Sequence, residues 1–232
     1  QFAALSTPLP VVSFDCIDLM EPVPMGEILR LTAELVSQVH REVPDTGPAA
    51  RSIVFSEADY DAYLTDFLEG KPDGPLYVFC YGSLIWKPVF EPVATVPAIA
   101  TGWQRSFCLK VVRFRGTLDR PGLMMQIDRG SQCEGLVQEV ATASAWDDLS
   151  RLWRREMTNK PPSNLPRWID VNAGGAATKA IAFTANPDSP LYVGGLPDEE
   201  IAQTLSIACG HWGSGAEYLR QTVLSLEAAG IH

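Results

Sequence analysis

The chain has 232 residues, of which 46% are hydrophobic and 20% charged. These proportions exclude wholesale disorder and allow one sizeable core. Acids outnumber bases 28 to 18, and the net charge of −10 argues against general binding to nucleic acid or to anionic lipid.

No apolar run approaches the ~18 residues of a membrane span. The opening, Gln1-Phe2-Ala3-Ala4-Leu5, has no basic n-region and no long apolar stretch, so no signal peptide is expected. Cys16, Cys80, Cys108, Cys133 and Cys209 are scattered, with no C-x-x-C. That pattern predicts reduced thiols in a cytoplasmic protein. His40, His211 and His232 form no H-E-x-x-H and no Cys/His cluster, so no transition-metal site is expected.

Residues 1–24 are apolar but irregular, with four prolines, and read as an extended arm. From Met25 to Val43, Ile28, Leu31, Leu35, Val39 and Val43 recur at helical spacing until Pro44. Residues 44–51 form a connector. Ser56-Glu57-Ala58-Asp59 has the form of a capping box opening a second helix. Its apolar face is Tyr60, Tyr63, Leu64 and Phe67, and Gly70 suits its end. Residues 1–74 are thus predicted to be a helical appendage packed on the core, with a second domain over 75–232.

Beyond it the pattern changes. Leu76–Tyr81, Arg105–Phe114, Leu123–Asp128, Glu134–Val140, Trp168–Val171 and Lys179–Thr184 read as strands. Asp128-Arg129-Gly130-Ser131 is predicted to be a hairpin turn. Helices are expected over 144–157, 198–208 and 215–229. The order predicts an α+β fold with a small mixed or antiparallel barrel and flanking helices.

The segment Ser144–Met157 is the most informative chemically. On a helical wheel with Leu149 at 0°, Trp146, Leu152 and Trp153 fall within about 60°. Glu156 lies about 20° from the centre of that stripe, while Asp147, Asp148, Arg151, Arg154 and Arg155 point away. A carboxylate on an apolar face is costly unless it is paired or used. Desolvation would raise its pKa, which suits a general acid or base. From the residues alone, a structural ion pair or a helix end emerging into solvent is the commoner explanation of such a carboxylate.

Val78–Trp86 runs a strand into Tyr81-Gly82-Ser83-Leu84. Backbone N–H groups at such a strand end can converge on a carboxylate or oxyanion, or simply form a tight turn. Ser83 lies outside G-x-S-x-G. Arg115 could fork onto a substrate carboxylate or brace its loop. A Cys80–His211 dyad has no motif behind it. Gly210–Gly215 reads as a helix-entry loop rather than a nucleotide-binding one.

Together these segments resemble the ChaC branch of the γ-glutamylcyclotransferases. Val78-Phe79-Cys80-Tyr81-Gly82-Ser83-Leu84-Ile85-Trp86-Lys87-Pro88 is similar to the family's V-F-G-Y-G-S-L-I-W-x-P. Trp103-x-Arg105-x-Phe107-Cys108-Leu109, Arg115-Gly116-Thr117-x-x-x-Pro121-Gly122, Leu152-Trp153-x-Arg155-Glu156-Met157 and Gly210-x-x-Gly213-x-x-x-Glu217-Tyr218-Leu219 follow in order. The resemblance implies a small mixed barrel that converts glutathione to 5-oxoproline and Cys-Gly without metal or other cofactor. It implies Glu156 as the catalytic carboxylate. It implies Tyr81, Gly82, Ser83, Leu84 and Ile85 as the loop holding the γ-glutamyl group, with Arg115 in support. Other γ-glutamyl amines as substrates, and a non-catalytic binding role, are the alternatives. Four departures stand out. Cys80 replaces a glycine, and Phe183 sits where eukaryotic members have a tyrosine. Val111 and Val112 occupy a stretch that usually holds an aspartate. Thr158-Asn159-Lys160-Pro161-Pro162 replaces the usual Gly-x-Tyr.

Overall fold

The computed structural model describes residues 30–48 and 53–231. The predicted arm over 1–24 lies outside the described residues, as does the first part of the helix expected from Met25. Leu31–His232 forms one compact unit. No helix among the described residues is long and apolar enough to cross a membrane.

The first helix is shorter than its apolar spacing predicts. α1 covers Ala33–Val39 and ends at His40, so Val43 is not helical. Thr32 starts it by accepting the Leu35 N–H at 3.3 Å, and α1 itself contributes no buried residue. α2 spans Glu57–Glu69 and opens with the expected capping box, Ser56 and Asp59 satisfying each other's backbone N–H.

Five strands close into a barrel in the order β1-β3-β2-β4-β5. They are β1 (Leu76–Cys80), β2 (Thr95–Val111), β3 (Gly122–Val140), β4 (Asn164–Ala173) and β5 (Ala176–Ala185). β2 and β3 pair antiparallel, as do β1 with β3, β2 with β4, and β4 with β5. β1 meets β5 in parallel at Val78 and Ile181, which closes the barrel.

The hairpin expected at Asp128–Ser131 does not form, because β3 runs unbroken through it. A bulge takes its place: Thr101 pairs with Gln132 and Trp103 with Arg129, so Gly130 and Ser131 face Gly102 alone. Gly102 has φ +85°, and a Cβ on Gly130 would lie 2.4 Å from the Gln104 side chain. The glycines that suggest a turn instead allow two long strands to bend together. β2 also starts ten residues before the expected Arg105, since Thr95–Ala100 continues the pairing with β3.

Side chains alternate across the barrel wall. Val78, Cys80, Ile181 and Phe183 face the flanking helices, whereas Phe79, Tyr81, Ala180 and Ala182 fill the barrel. The outer layer is α2 with α4 (Ala145–Glu156), through Leu64, Leu149, Leu152 and Trp153. α3 (Ser83–Trp86), α5 (Asp198–Ile207), the paired β6 (Cys209–Gly210) and β7 (Gly213–Ser214), and α6 (Gly215–Ala228) complete the unit.

α4 departs from its wheel in two places. Trp146 is 45% exposed. Asp148 is only 4% exposed. Ser144 does not cap the helix with its side chain; its hydroxyl donates to Asp148 at 2.6 Å, and Arg151 pairs with the same carboxylate. Two partners thus offset the cost of burying that charge.

Candidate active site

A small cleft lies where β1 ends. Tyr81, Gly82, Ser83 and Leu84 form one wall, and Glu156 and Asn164 another. Leu109, Met124, Met125, Gln126, Phe183 and Tyr218 complete it. Two residues expected with the loop do not line the cleft. Ile85 packs against the outer core, and its N–H is taken by the Gly82 carbonyl at 2.9 Å. Arg115 bonds the Ser214 carbonyl and Glu217 at 2.8 and 2.9 Å, and stacks 5.5 Å from the centre of the Tyr218 ring. It braces a wall of the cleft from behind.

The loop wall is a row of backbone donors. The N–H groups of Gly82, Ser83 and Leu84 have no acceptor among the described residues. A Cβ on Gly82 would come 3.8 Å from both Met125 Sδ and Tyr218 Oη. Glycine there keeps open the space between loop and opposite wall. Cys80 turns to the other face of β1, is fully buried and does not line the cleft. Burial pushes its thiol pKa up, so it packs as a small hydrophobe. His211 lies elsewhere, against Phe114 and Trp212.

Glu156 is the last residue of α4. Its side chain is 16% exposed. Burial raises its pKa, while the Arg155 guanidinium and a hydrogen bond from Asn164 pull it down. Asn164 Nδ2 donates to Oε2 at 3.1 Å, and Arg155 Nε lies 3.3 Å from Oε1. Gln126 in turn donates to Asn164 Oδ1. Each carboxylate oxygen therefore has one fixed partner and keeps capacity for another proton donor.

Three residues at this site are not singled out by spacing. Arg155 points away on an ideal wheel, but at the helix end it folds back over Glu156. Asn164 follows the departed Thr158–Pro162 stretch, where no motif can mark it. Tyr218 is visible only within Glu217-Tyr218-Leu219. Its hydroxyl pKa is pushed up to about 12, chiefly by burial, so it stays protonated and able to donate. Phe183 brings no hydroxyl, but its carbonyl accepts from Tyr81 Oη at 2.6 Å.

A closed mixed barrel with flanking helices, holding a largely buried carboxylate across a cleft from a strand-end loop, defines a γ-glutamylcyclotransferase-like protein. Residues 76–232 match the family described as ChaC-like protein, and the chain belongs to that family. It is 32% identical over 175 residues to the glutathione-specific gamma-glutamylcyclotransferase of Escherichia coli (strain K12), covering 75% of each chain. It is 31% identical over 159 residues to the glutathione-specific gamma-glutamylcyclotransferase 1 of Danio rerio, covering 66% of this chain and 79% of that one. The fold is similar to the crystal structure of a yeast γ-glutamyl cyclotransferase specific to glutathione. There the TM-score is 0.62 at 19% identity, over 69% of this chain and 90% of that one.

Proposed function

We propose that this protein is a glutathione-specific γ-glutamylcyclotransferase, releasing 5-oxoproline and Cys-Gly, with Glu156 as its acid and base. The observation that carries the reading is the desolvated carboxylate of Glu156, which lines one cleft together with the Tyr81–Leu84 loop.

The reaction needs no nucleophile from the protein. The substrate's own α-nitrogen attacks its γ-carbonyl carbon, and the amide bond to cysteine breaks. At neutral pH that nitrogen is an ammonium and cannot attack until it loses a proton. Glu156 accepts a proton from the attacking nitrogen and returns one to the departing Cys-Gly nitrogen. A carboxylate with a raised pKa suits both transfers. The N–H groups of Gly82, Ser83 and Leu84 hold the γ-glutamyl end, and Tyr218 offers a neutral donor beside them. Keeping the γ-glutamyl chain folded for ring closure exploits proximity, worth up to ~7–11 kcal/mol in ideal intramolecular cases. A cytoplasmic setting draws support from Cys80, Cys108, Cys133 and Cys209, all free and buried.

The test is 5-oxoproline release from glutathione by wild type and Glu156→Gln. Release by wild type alone is expected. Comparable release by the variant would remove Glu156 from the mechanism. No release by either, with glutathione still raising Tm, would leave a binding protein.

A further inference from the structure

Glu156 is the last residue of its helix, where backbone carbonyls lack intrahelical partners and ends fray. Its orientation therefore depends on how the chain leaves α4. That exit is gripped by residues preceding the family-matched region, which begins at 76. The Tyr60 hydroxyl donates to the Met157 carbonyl at 2.8 Å, in buried surroundings. Asp59 pairs with Lys160 Nζ at 2.5 Å. The Lys160 N–H bonds the Ile53 carbonyl at 2.7 Å, forming a short antiparallel bridge. Lys160 also lies over the Phe55 ring, 5.2 Å from its centre. On the near side of Glu156, Phe67 packs edge-on against Trp153 at 5.2 Å.

We propose that residues 53–60 are part of the active site as a positioning clamp, with Tyr60 and Asp59 fixing the backbone that leaves Glu156. The clamp grips Lys160, inside the stretch where this chain departs from the family pattern. Downstream, the same backbone leads to Asn164, the donor to Glu156. Releasing the clamp loosens both ends of that arrangement, and misplacement by about 1 Å can cost up to ~100-fold in rate. The proposal rests on Glu156 being the acid and base. The groups beside Glu156 are Arg155 on its own helix, Asn164 on β4, Tyr81 just past β1, and Tyr218 on α6, with the Cys80 thiol near enough to feel its charge from the other face of β1. Arg155 and Asn164 hold its pKa down, so drift away from them raises it.

The experiment compares wild type with Tyr60→Phe, Asp59→Asn and the double variant. Both substitutions keep side-chain shape, and the amide introduced by Asp59→Asn retains an oxygen for the capping box. Glutathione turnover is measured beside the titration of the Glu156 carboxyl carbon by NMR, assigned with Glu156→Gln. In the double variant kcat is expected to fall ~10- to 100-fold with KM little changed, and the Glu156 midpoint to move upward. Lys160→Met reproduces the effect and Lys160→Arg restores kcat. An unmoved midpoint overturns the clamp, even where Tm falls, because a merely structural helix would leave Glu156 unaltered. If wild type releases no 5-oxoproline, the reaction is wrong, and the midpoint still decides the clamp.

Discussion

Arg155 ties Ser83 to the Glu156 carboxylate. Its Nη2 donates to Ser83 Oγ at 2.8 Å, and its Nε lies 3.3 Å from Glu156 Oε1. The third guanidinium nitrogen, Nη1, bonds the Lys87 carbonyl, just past the end of α3. One planar cation thus spans the loop and the Glu156 carboxylate, which an ammonium could not do with the same geometry.

Ser83→Ala removes one acceptor of that fork and leaves the loop backbone intact. A hydrogen bond to a charged group is worth about 1.5–3 kcal/mol. The expected outcome is a rise in KM for glutathione with kcat less affected. Arg155→Met goes further. It removes the cation that lowers the Glu156 pKa, so the acid limb of the kcat profile moves to higher pH. Rate profiles against pH for both variants check this, and an unmoved limb in Arg155→Met would break the coupling.

Glu156→Gln is expected to abolish turnover yet keep or gain stability at neutral pH. The folded pKa of Glu156 lies above its ordinary value. The group therefore favours folding below its unfolded pKa, and that contribution is lost as pH rises through the folded pKa. Glutamine carries no charge to desolvate, and its carbonyl can still accept from Asn164. The Tm advantage of the variant should grow from acid toward neutral pH. Melting curves across that range test the sign.

Tyr218→Phe deletes the cleft hydroxyl and keeps the ring that meets Arg115, Phe107 and Trp86. If that hydroxyl stabilises the developing oxyanion, kcat falls ~100-fold or more while Tm changes little. Unchanged kcat in steady-state assays would confine Tyr218 to packing.

Cys80→Gly restores the residue common in the family. Because the side chain lies in the outer core, the change removes packing and adds backbone freedom. A loss of about 1–3 kcal/mol in denaturant unfolding is expected, with KM unchanged. A large change in KM would mean that Cys80 shapes the cleft.

Where chemistry is local, residues carry their own information. The capping box at Ser56 and Asp59 forms as its spacing predicts, because its two bonds lie within one turn. Glu156 stands out because a charge on an apolar stripe is anomalous wherever the helix packs. The strand-end glycine and serine are legible because an apolar run stops there. Turn residues mislead at Asp128–Ser131, since glycine permits a bulge as readily as a hairpin, and pairing with β2 decides between them.

The amino-acid sequence by itself determined most strand and helix types and the family motifs, and it marked Glu156 as anomalous on its helix, all properties of short segments. Tertiary structure alone decided which partners that carboxylate has. Asn164 reaches it from β4, Arg155 folds back from the helix end, and Tyr218 arrives with α6. The grip of Tyr60 on Met157 joins residues 97 positions apart. Such contacts depend on barrel closure and helix packing, which bring distant positions together by burying apolar surface and leave no periodic trace in the chain.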